Sequence, residues 1–246
     1  MWTPDALRSE ARPWVSDLWR AVESQAKAST MRLTDTLAEQ ELLEGILERS
    51  KPNWPDECQG LHYLLATPFR YAPYPRGSRF RRAGQRDGAF YCSEMPGTAV
   101  AETSFYRLLF FAEAPGMRLP SSPVEHTVFL VRCKTALALN LCEPPLDRDS
   151  DMWRQRVDYS ACQDLADAAR ASGVEAIRYV SLRDRKAGMN CALLSAAAFA
   201  EPHPVGEQTW HIFPGESRVR AWCENPRQSL EFHREDFNDP RLMQLG

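Results

Sequence analysis

The sequence lacks the long apolar runs and the one-sided charge that would place the chain in a membrane or on nucleic acid. No stretch approaches the roughly 20 apolar residues that a membrane-spanning helix requires. The first residues, MWTPDALRSEARPW, mix acidic and basic side chains and lack the apolar core of a signal peptide. The formal net charge of the 246 residues is −3, which gives no general attraction to nucleic acid or anionic lipid. We therefore expect a cytoplasmic protein that contacts neither membrane nor nucleic acid directly.

Closely spaced cysteine pairs are also missing. The seven cysteines are scattered and odd in number, none belongs to a CxxC pair, and none lies near a histidine at the spacing of zinc ligands. This distribution is typical of free thiols in a reducing compartment. The sequence therefore predicts no metal site.

Three widespread catalytic motifs are absent too. No GxGxxG run follows a predicted strand and no Walker loop is present, so neither a Rossmann dehydrogenase nor a P-loop nucleotidase is supported. No GxSxG elbow occurs and no histidine is spaced to activate a serine, which disfavours a serine hydrolase. Any enzymatic function must rest on other residues.

The residues that are present indicate an α+β fold. The chain is 43% hydrophobic and 26% charged, which is enough for a sizeable core. Helices are predicted at 96–113 and 159–173, and strands at 89–93, 126–133, 136–141, 175–182, 190–195 and in the runs QTWHIF, RVRAWC and SLEFHR. Many short strands with a few helices are typical of an α+β domain.

The first part of the chain is predicted to be helical. Apolar residues recur at helical spacing over 4–28, and a second helix is predicted over 37–50, where Thr36 begins a capping box. The polar run SKPNWPDE then marks a break. We therefore divide the chain into a helical N-terminal extension, 1–57, and a catalytic domain, 58–246. Packing of the extension against that domain is slightly favoured.

The segment 66–88 stands out because it combines six arginines with glycine, proline and four aromatic residues. It is predicted to form no regular element, and a loop of this length in a compact domain is usually functional or disordered. Its aromatic content argues against disorder. Arginine forks match phosphate oxygens, so the segment indicates an anion site, with a solvated basic loop as the alternative.

Glu102 and Ser181 are the remaining candidates for chemistry. Glu102 has apolar neighbours on a predicted helix, and a buried carboxylate needs a partner. Either it meets substrate, or it forms a structural ion pair with Arg79 or Arg107. Ser181 and Arg183 follow a predicted strand and could face a cleft, although a serine at such a position is more often a turn residue.

Six short motifs follow one another along the chain. They are TPFRY (67–71), GSRFR (77–81), GAFYCSE (88–94), AVAET (99–103), IRYVSLRD (177–184) and MNCALL (189–194). Over roughly residues 61–200 the series resembles the RES domain family, which is named for its arginine, glutamate and serine. The chain departs from the family in its Gly-Ser-Arg-Phe-Arg turn, where Gly-Gly-Arg-Trp-Asn is usual. Its interval between Arg70 and Arg79 is also shorter than in the compact toxins of the family.

The resemblance implies a fold like that of ADP-ribosyltransferase toxins and an activity that degrades NAD⁺ by hydrolysis or phosphorolysis. It implies no cofactor, with NAD⁺ as substrate and inorganic phosphate as a possible co-substrate. It also implies a toxin neutralised by an Xre-type antitoxin protein. The site residues that it implies are Arg79, Tyr91, Glu102 and Ser181 for catalysis, and Arg70 and Asn190 for substrate binding. We add Tyr71 and Arg183, which lie within two of the motifs, as further substrate-binding residues.

The chemistry of NAD⁺ agrees with these residue types. Glu102 would stabilise the oxocarbenium-like transition state at C1′ of the ribose, as carboxylates do in glycoside cleavage. Tyr91 would stack on nicotinamide, Arg79 and Arg70 would hold phosphate, and Ser181 would orient the nicotinamide–ribose end. Nicotinamide leaves as a neutral molecule, so no strong general acid is required.

Two alternatives stay open at the level of sequence. A mono-ADP-ribosyltransferase would use the same pocket with a protein as acceptor. A non-catalytic module would use the arginines and Glu102 for structure and bind a partner. The sequence does not determine the oligomeric state and is compatible with a homo-oligomer.

Overall fold

The computed structural model of the protein describes residues 2–24, 33–70, 75–114 and 116–244. The helices are α1 (Pro4–Glu10), α2 (Leu37–Ser50), α3 (Tyr63–Arg70), α4 (Pro96–Glu113), α5 (Ser150–Trp153) and α6 (Ser160–Ala171). The strands are β1 (Arg12–Glu23), β2 (Phe90–Ser93), β3 (Val124–Asn140), β4 (Ala176–Val180), β5 (Met189–Leu193), β6 (Gly206–Pro214), β7 (Arg218–Cys223) and β8 (Gln228–His233). This mixture confirms the predicted α+β class.

The strands form one sheet with the order β1-β2-β5-β4-β3-β6-β7-β8. Strand β1 pairs with β3 as well as with β2, so β1, β2, β5, β4 and β3 close into a ring. Strand β3 is long enough to serve several partners: its first residues pair with β6, and its last three pair in parallel with β4. The remaining neighbours are antiparallel.

Three apolar clusters hold helices against this sheet. One combines α3 with β1, β2, β3 and β5, and includes Leu18 and Phe129. A second places α1 and α6 on β3 and β4 around Ile177. The third packs α4 against β6 to β8, with Phe105 and Trp210 at its centre. Each such side chain, fully buried, contributes about 1.5–3 kcal/mol through removal of apolar surface from water.

The predicted helix over 4–28 is wrong for residues 12–23, because α1 ends at Glu10 and β1 follows. Residues 25–28 of that prediction lie outside the described residues. Trp14, Leu18 and Val22 recur every four residues, a spacing that fits one face of a helix and equally one face of a strand. Proline at position 13 disfavours a continuous helix. Strand β1 pairs with β3 along nearly its whole length, so this part of the predicted extension belongs to the sheet. The boundary at residue 57 stays a prediction.

Helix α2 has the predicted bounds and the predicted cap. The Thr36 hydroxyl accepts a hydrogen bond from the backbone N–H of Glu39 at 3.2 Å. The Glu39 carboxylate accepts one from the N–H of Thr36 at 3.2 Å. Two of the unpaired donors at the start of the helix are thereby satisfied.

The expectation of no regular element in 66–88 is wrong for its first residues, since α3 continues to Arg70 through Pro68. Burial of Leu65 and Phe69 in the first apolar cluster outweighs the hydrogen bond that the proline removes. The residues from 75 to 88 form turns and one short bridge. Tyr71 lies outside the described residues.

Two predicted strands, 126–133 and 136–141, are one strand, β3. The polar pair at positions 134 and 135 suggested a break, but it continues the alternation of the strand. Lys134 points outward, whereas Thr135 is buried and donates to the Glu175 carboxylate at 2.6 Å. No helix in the described ranges is long and apolar enough to cross a bilayer.

Candidate active site

Glu102, Ser181 and Asn190 meet in the structure although they are far apart in the chain. Glu102 lies on α4, Ser181 directly follows β4, and Asn190 lies on β5. One carboxylate oxygen of Glu102, Oε1, accepts hydrogen bonds from Ser181 Oγ at 2.7 Å and from Asn190 Nδ2 at 2.6 Å. The structure thus brings together three of the residues predicted from the motif series.

The hydrogen-bond network fixes where the Ser181 proton points. Ser181 Oγ accepts from the backbone N–H groups of Arg183 at 3.2 Å and Asp184 at 3.1 Å. A hydroxyl has two lone pairs and one proton, so both lone pairs are used and the proton is directed at Glu102. Ser181 therefore holds the carboxylate and has no free lone pair for nucleophilic attack.

Hydrogen bonds also fix the orientation of the Asn190 side-chain amide. Its Oδ1 accepts from Ser93 Oγ at 2.7 Å, so its amino group faces Glu102. A carboxylate can only accept hydrogen bonds, which requires this orientation of the amide. Both Ser93 and Asn190 are almost fully buried, on paired positions of β2 and β5. The second donor to Glu102 is therefore supported by the sheet itself.

The loop between β4 and β5 is packed tightly on the first turn of α4. Thr98 Oγ1 donates to Asp184 Oδ2 at 2.8 Å, and Ser181 N donates to the Gly188 carbonyl at 2.8 Å. A Cβ at Gly188 would overlap the Thr98 hydroxyl and lie 2.7 Å from Asp184 Oδ2. Glycine at position 188 thus allows the loop that carries Ser181 to approach the helix that carries Glu102.

Glu102 does not form the structural ion pair considered from sequence. Arg107 pairs with Glu23 at 2.5 Å, and Arg79 donates to a backbone carbonyl. No salt bridge to Glu102 occurs among the residues that the structure describes. Its charge is balanced by neutral donors, which leaves the carboxylate available to a cationic group.

Arg79 is buried in an aromatic setting. Its Nη1 donates to the Trp153 carbonyl at 2.7 Å. Its guanidinium carbon lies 4.7 Å from the centre of the Tyr159 ring and 5.9 Å from that of Tyr179. Aromatic faces attract a guanidinium electrostatically, so the two rings orient the side chain without neutralising it.

Tyr91 supports the turn that carries Arg79. Its hydroxyl accepts from the backbone N–H of Phe80 at 3.0 Å and shares a hydrogen bond with Ser78 Oγ at 2.7 Å. Burial raises the pKa of the Tyr91 phenol above its usual value, so the hydroxyl stays protonated. The hydroxyl end of Tyr91 is thus engaged with the 78–80 turn. The stacking of its ring on nicotinamide stays a prediction.

Three further tyrosines surround the carboxylate or Arg79 and were not singled out from sequence. Burial, and then the negative charge of Glu102, raise the pKa of Tyr179 well above its usual value. Tyr106 lies one helical turn after Glu102 and is 49% exposed. The signal for Tyr179 was its position on β4 two residues before Ser181, a spacing at which side chains of an extended chain point to the same side. The signal for Tyr106 was its i+4 spacing from Glu102. No local pattern marked Tyr159.

The predicted substrate-binding arginines are engaged with the protein. Arg70 Nη1 pairs with Glu48 at 2.7 Å, its Nε donates to the Pro52 carbonyl at 2.6 Å, and its guanidinium lies 4.1 Å from the Trp54 ring centre. These contacts tie Arg70 to the segment after α2. Arg183 is buried beside Asp239, at 2.9 Å.

The cysteines are free, and six of the seven are buried, with Cys142 intermediate. Burial raises the pKa of Cys58 to about 11 and that of Cys133 to about 12. The described residues contain no group of three or more histidine, cysteine, aspartate or glutamate side chains suited to a metal ion.

Comparison with known proteins places the chain in a family. The RES domain model matches residues 55–213, so the chain belongs to the RES domain family. That range contains the eight predicted site residues. No curated protein matches the sequence. Among solved structures, the chain is similar to one in the crystal structure of the M. tuberculosis MbcT–MbcA toxin–antitoxin complex. The identity is 11% and the TM-score 0.46, over 97% of this chain and 94% of that chain.

Proposed function

We propose that this protein cleaves the nicotinamide–ribose bond of NAD⁺ and acts as the toxin of a toxin–antitoxin pair. The observation that carries the proposal is the Glu102 carboxylate, which two neutral donors hold without an ion pair in the described part of the chain. Membership of the RES domain family supports the same activity.

The charge of Glu102 suits a reaction in which positive charge develops on a sugar. As the bond to nicotinamide breaks, C1′ of the ribose becomes oxocarbenium-like, and a carboxylate stabilises that state more than the ground state. Ser181 and Asn190 fix the carboxylate before substrate arrives, so little reorganisation is needed during the reaction.

The surroundings of Glu102 suit the other parts of NAD⁺. Arg79 has no carboxylate partner among the described residues and could meet the pyrophosphate in bidentate geometry. Tyr106 follows Glu102 by one helical turn and Tyr179 lies two residues before Ser181, so either ring is a candidate to stack on the cationic nicotinamide ring. Ser181 acts by positioning Glu102, because its proton and lone pairs are already committed.

The acceptor of the ADP-ribosyl group would be water or inorganic phosphate. Unregulated loss of NAD⁺ would stop growth of the cell that makes the protein, so the proposal includes a neutralising antitoxin of the Xre type. Transfer to a protein would use the same Glu102 chemistry with a different nucleophile.

The test is incubation of the purified protein with NAD⁺, with and without inorganic phosphate, and identification of the products by mass spectrometry. Free nicotinamide with ADP-ribose indicates hydrolysis, and ADP-ribose 1-phosphate formed only with phosphate indicates phosphorolysis. Expression of the intact chain alone in bacteria should arrest growth and deplete NAD⁺. Intact NAD⁺ in both buffers, with normal growth, would refute the proposal.

A further inference from the structure

We propose that Asp239 is a positioning residue that orders both halves of the candidate active site from a C-terminal segment outside the family match. The match ends at residue 213, whereas the segment in question, residues 237–242, follows β8. As far as catalysis is concerned, the inference rests on the proposed function. The physical link between the segment and the site does not.

Asp239 is a buried carboxylate shared by two arginines. Its side chain is 0% exposed and lies 2.9 Å from Arg183 Nη2 and 2.8 Å from Arg241 Nη2. Arg241 also donates to it through its backbone N–H at 3.0 Å and its Nε at 2.9 Å. These partners lower the pKa of Asp239 in spite of its burial, so it is ionised at neutral pH.

The first arginine leads to Glu102. The Arg183 guanidinium lies 3.7 Å from the ring centre of Phe105, three residues beyond Glu102 on α4, and its Nη2 donates to the Arg156 carbonyl at 2.9 Å. The backbone N–H of the same residue donates to Ser181 Oγ, which in turn holds Glu102. Asp239 therefore fixes the side chain of Arg183, and the backbone N–H of Arg183 orients the Ser181 hydroxyl that positions Glu102.

The second arginine leads to Arg79. Asp239 first and then the neighbouring Tyr159 raise the pKa of Arg241, so Arg241 lies beside Tyr159, and the Arg79 guanidinium lies 4.7 Å from the centre of the Tyr159 ring. Arg241 also donates to the Arg156 carbonyl at 3.2 Å. One carboxylate thus connects the serine–glutamate half of the site with its arginine half.

Stability alone gives little reason for this arrangement. Buried ion pairs seldom stabilise a fold more than apolar residues of similar volume would. Arg183 Nη1 is moreover buried without a hydrogen-bond partner among the described residues, which adds a desolvation cost. Geometric control of the site accounts for a costly charge pair at this position.

The link is tested first without any reaction. Amide hydrogen exchange at Arg183 and Asp184 reports opening of the loop that holds Ser181. We expect Asp239→Asn to accelerate exchange there by about tenfold or more, and Asp239→Glu to restore part of the protection, since it restores the charge. The matched control is Arg234→Gln, which removes hydrogen bonds to the Leu242 carbonyl in the same segment but leaves the pairs of Asp239 with Arg183 and Arg241 in place, so exchange at Arg183 and Asp184 should stay at the wild-type rate. Equal exchange in the Asn variant and the wild type would overturn the inference.

Kinetics test the consequence for catalysis. At a temperature where each variant is folded, Asp239→Asn should lower kcat for nicotinamide release by about tenfold to a hundredfold, the usual effect of a misplaced catalytic group. Asp239→Glu should recover part of that loss, and Arg234→Gln should retain the wild-type kcat. A fall in melting temperature without a change in kcat would identify Asp239 as structural only and refute its positioning role.

The connection from Asp239 through Arg241 and Tyr159 to Arg79 gives an independent check if Asp239→Asn does not fold. Arg241→Gln and Tyr159→Phe should each raise KM for NAD⁺, and the double variant should raise it no further, because both changes break one connection. Fully additive effects of the two changes on KM would contradict this connection. A wild-type protein that never releases nicotinamide would refute the proposed function. The exchange comparison would still decide the positioning link.

Discussion

Replacing Glu102 by glutamine separates the charge of this side chain from its shape. Glutamine can accept the same two hydrogen bonds at Oε1, from Ser181 and from Asn190. No arginine loses a partner, since Glu102 forms no ion pair with the described residues. Only the charge contribution to two hydrogen bonds is lost, which we expect to cost about 1 kcal/mol, or about 2–4 °C in Tm.

The effect on rate should be much larger than the effect on stability. Removing one preorganised electrostatic partner of a transition state typically costs about a hundredfold to a thousandfold in kcat, equivalent to roughly 2.7–4 kcal/mol. Binding of NAD⁺ should change little, because the charge matters mainly at C1′ in the transition state. The assay pairs thermal unfolding, with and without NAD⁺, with the rate of nicotinamide release.

The control is Glu113→Gln on the same helix. Glu113 pairs at the surface with Arg76 at 2.6 Å, and it contacts none of the proposed catalytic residues, so kcat should stay at the wild-type level. A Glu102→Gln protein that unfolds about 3–5 kcal/mol more easily, yet cleaves at the wild-type rate while folded, would show that the residue is structural.

Three further predictions follow from burial and contacts. Arg79→Lys should raise KM for NAD⁺, since an ammonium cannot reproduce the guanidinium fork that reaches the Trp153 carbonyl and an anion together; an unchanged KM would contradict the assignment. Burial lowers the pKa of His126 in the folded protein. As the pH drops below about 6.5, this histidine therefore takes up a proton more readily in the unfolded chain than in the folded one, and Tm should fall. His126→Gln should flatten that decline, and parallel profiles would be the contrary result. A thiol reagent should label Cys142 fast and the six buried cysteines only on unfolding; a second fast equivalent would disprove the packing.

Glu102, Ser181 and Asn190 could be predicted to share one site because the motif series resembles the RES domain family, which implies these residues as site residues. Their mutual contacts could not be predicted. Ser181 and Asn190 were assigned to substrate, whereas both donate to Glu102 in the structure. The sequence does not show which acceptor a donor will find once a helix and a hairpin pack together.

The elements that were predicted wrongly had patterns compatible with two structures. Trp14, Leu18 and Val22 fit a helix or a strand equally, and only pairing with β3 decides between them. Pro68 argued against a helix that core packing stabilises. Asp239 had no signal at all, because its partner Arg183 lies in a distant segment and their ion pair exists only in the folded state.

The pairing of β1 with β3 has a consequence for truncating the protein. A fragment that begins at residue 55, where the family match begins, would leave residues 126–138 of β3 without a neighbour on one side. Unpaired strand edges recruit other chains through their free N–H and C=O groups, so such a fragment should aggregate during expression. The range matched by the family model therefore omits a strand that pairs with β3, and a shortened protein should retain residues 12–23.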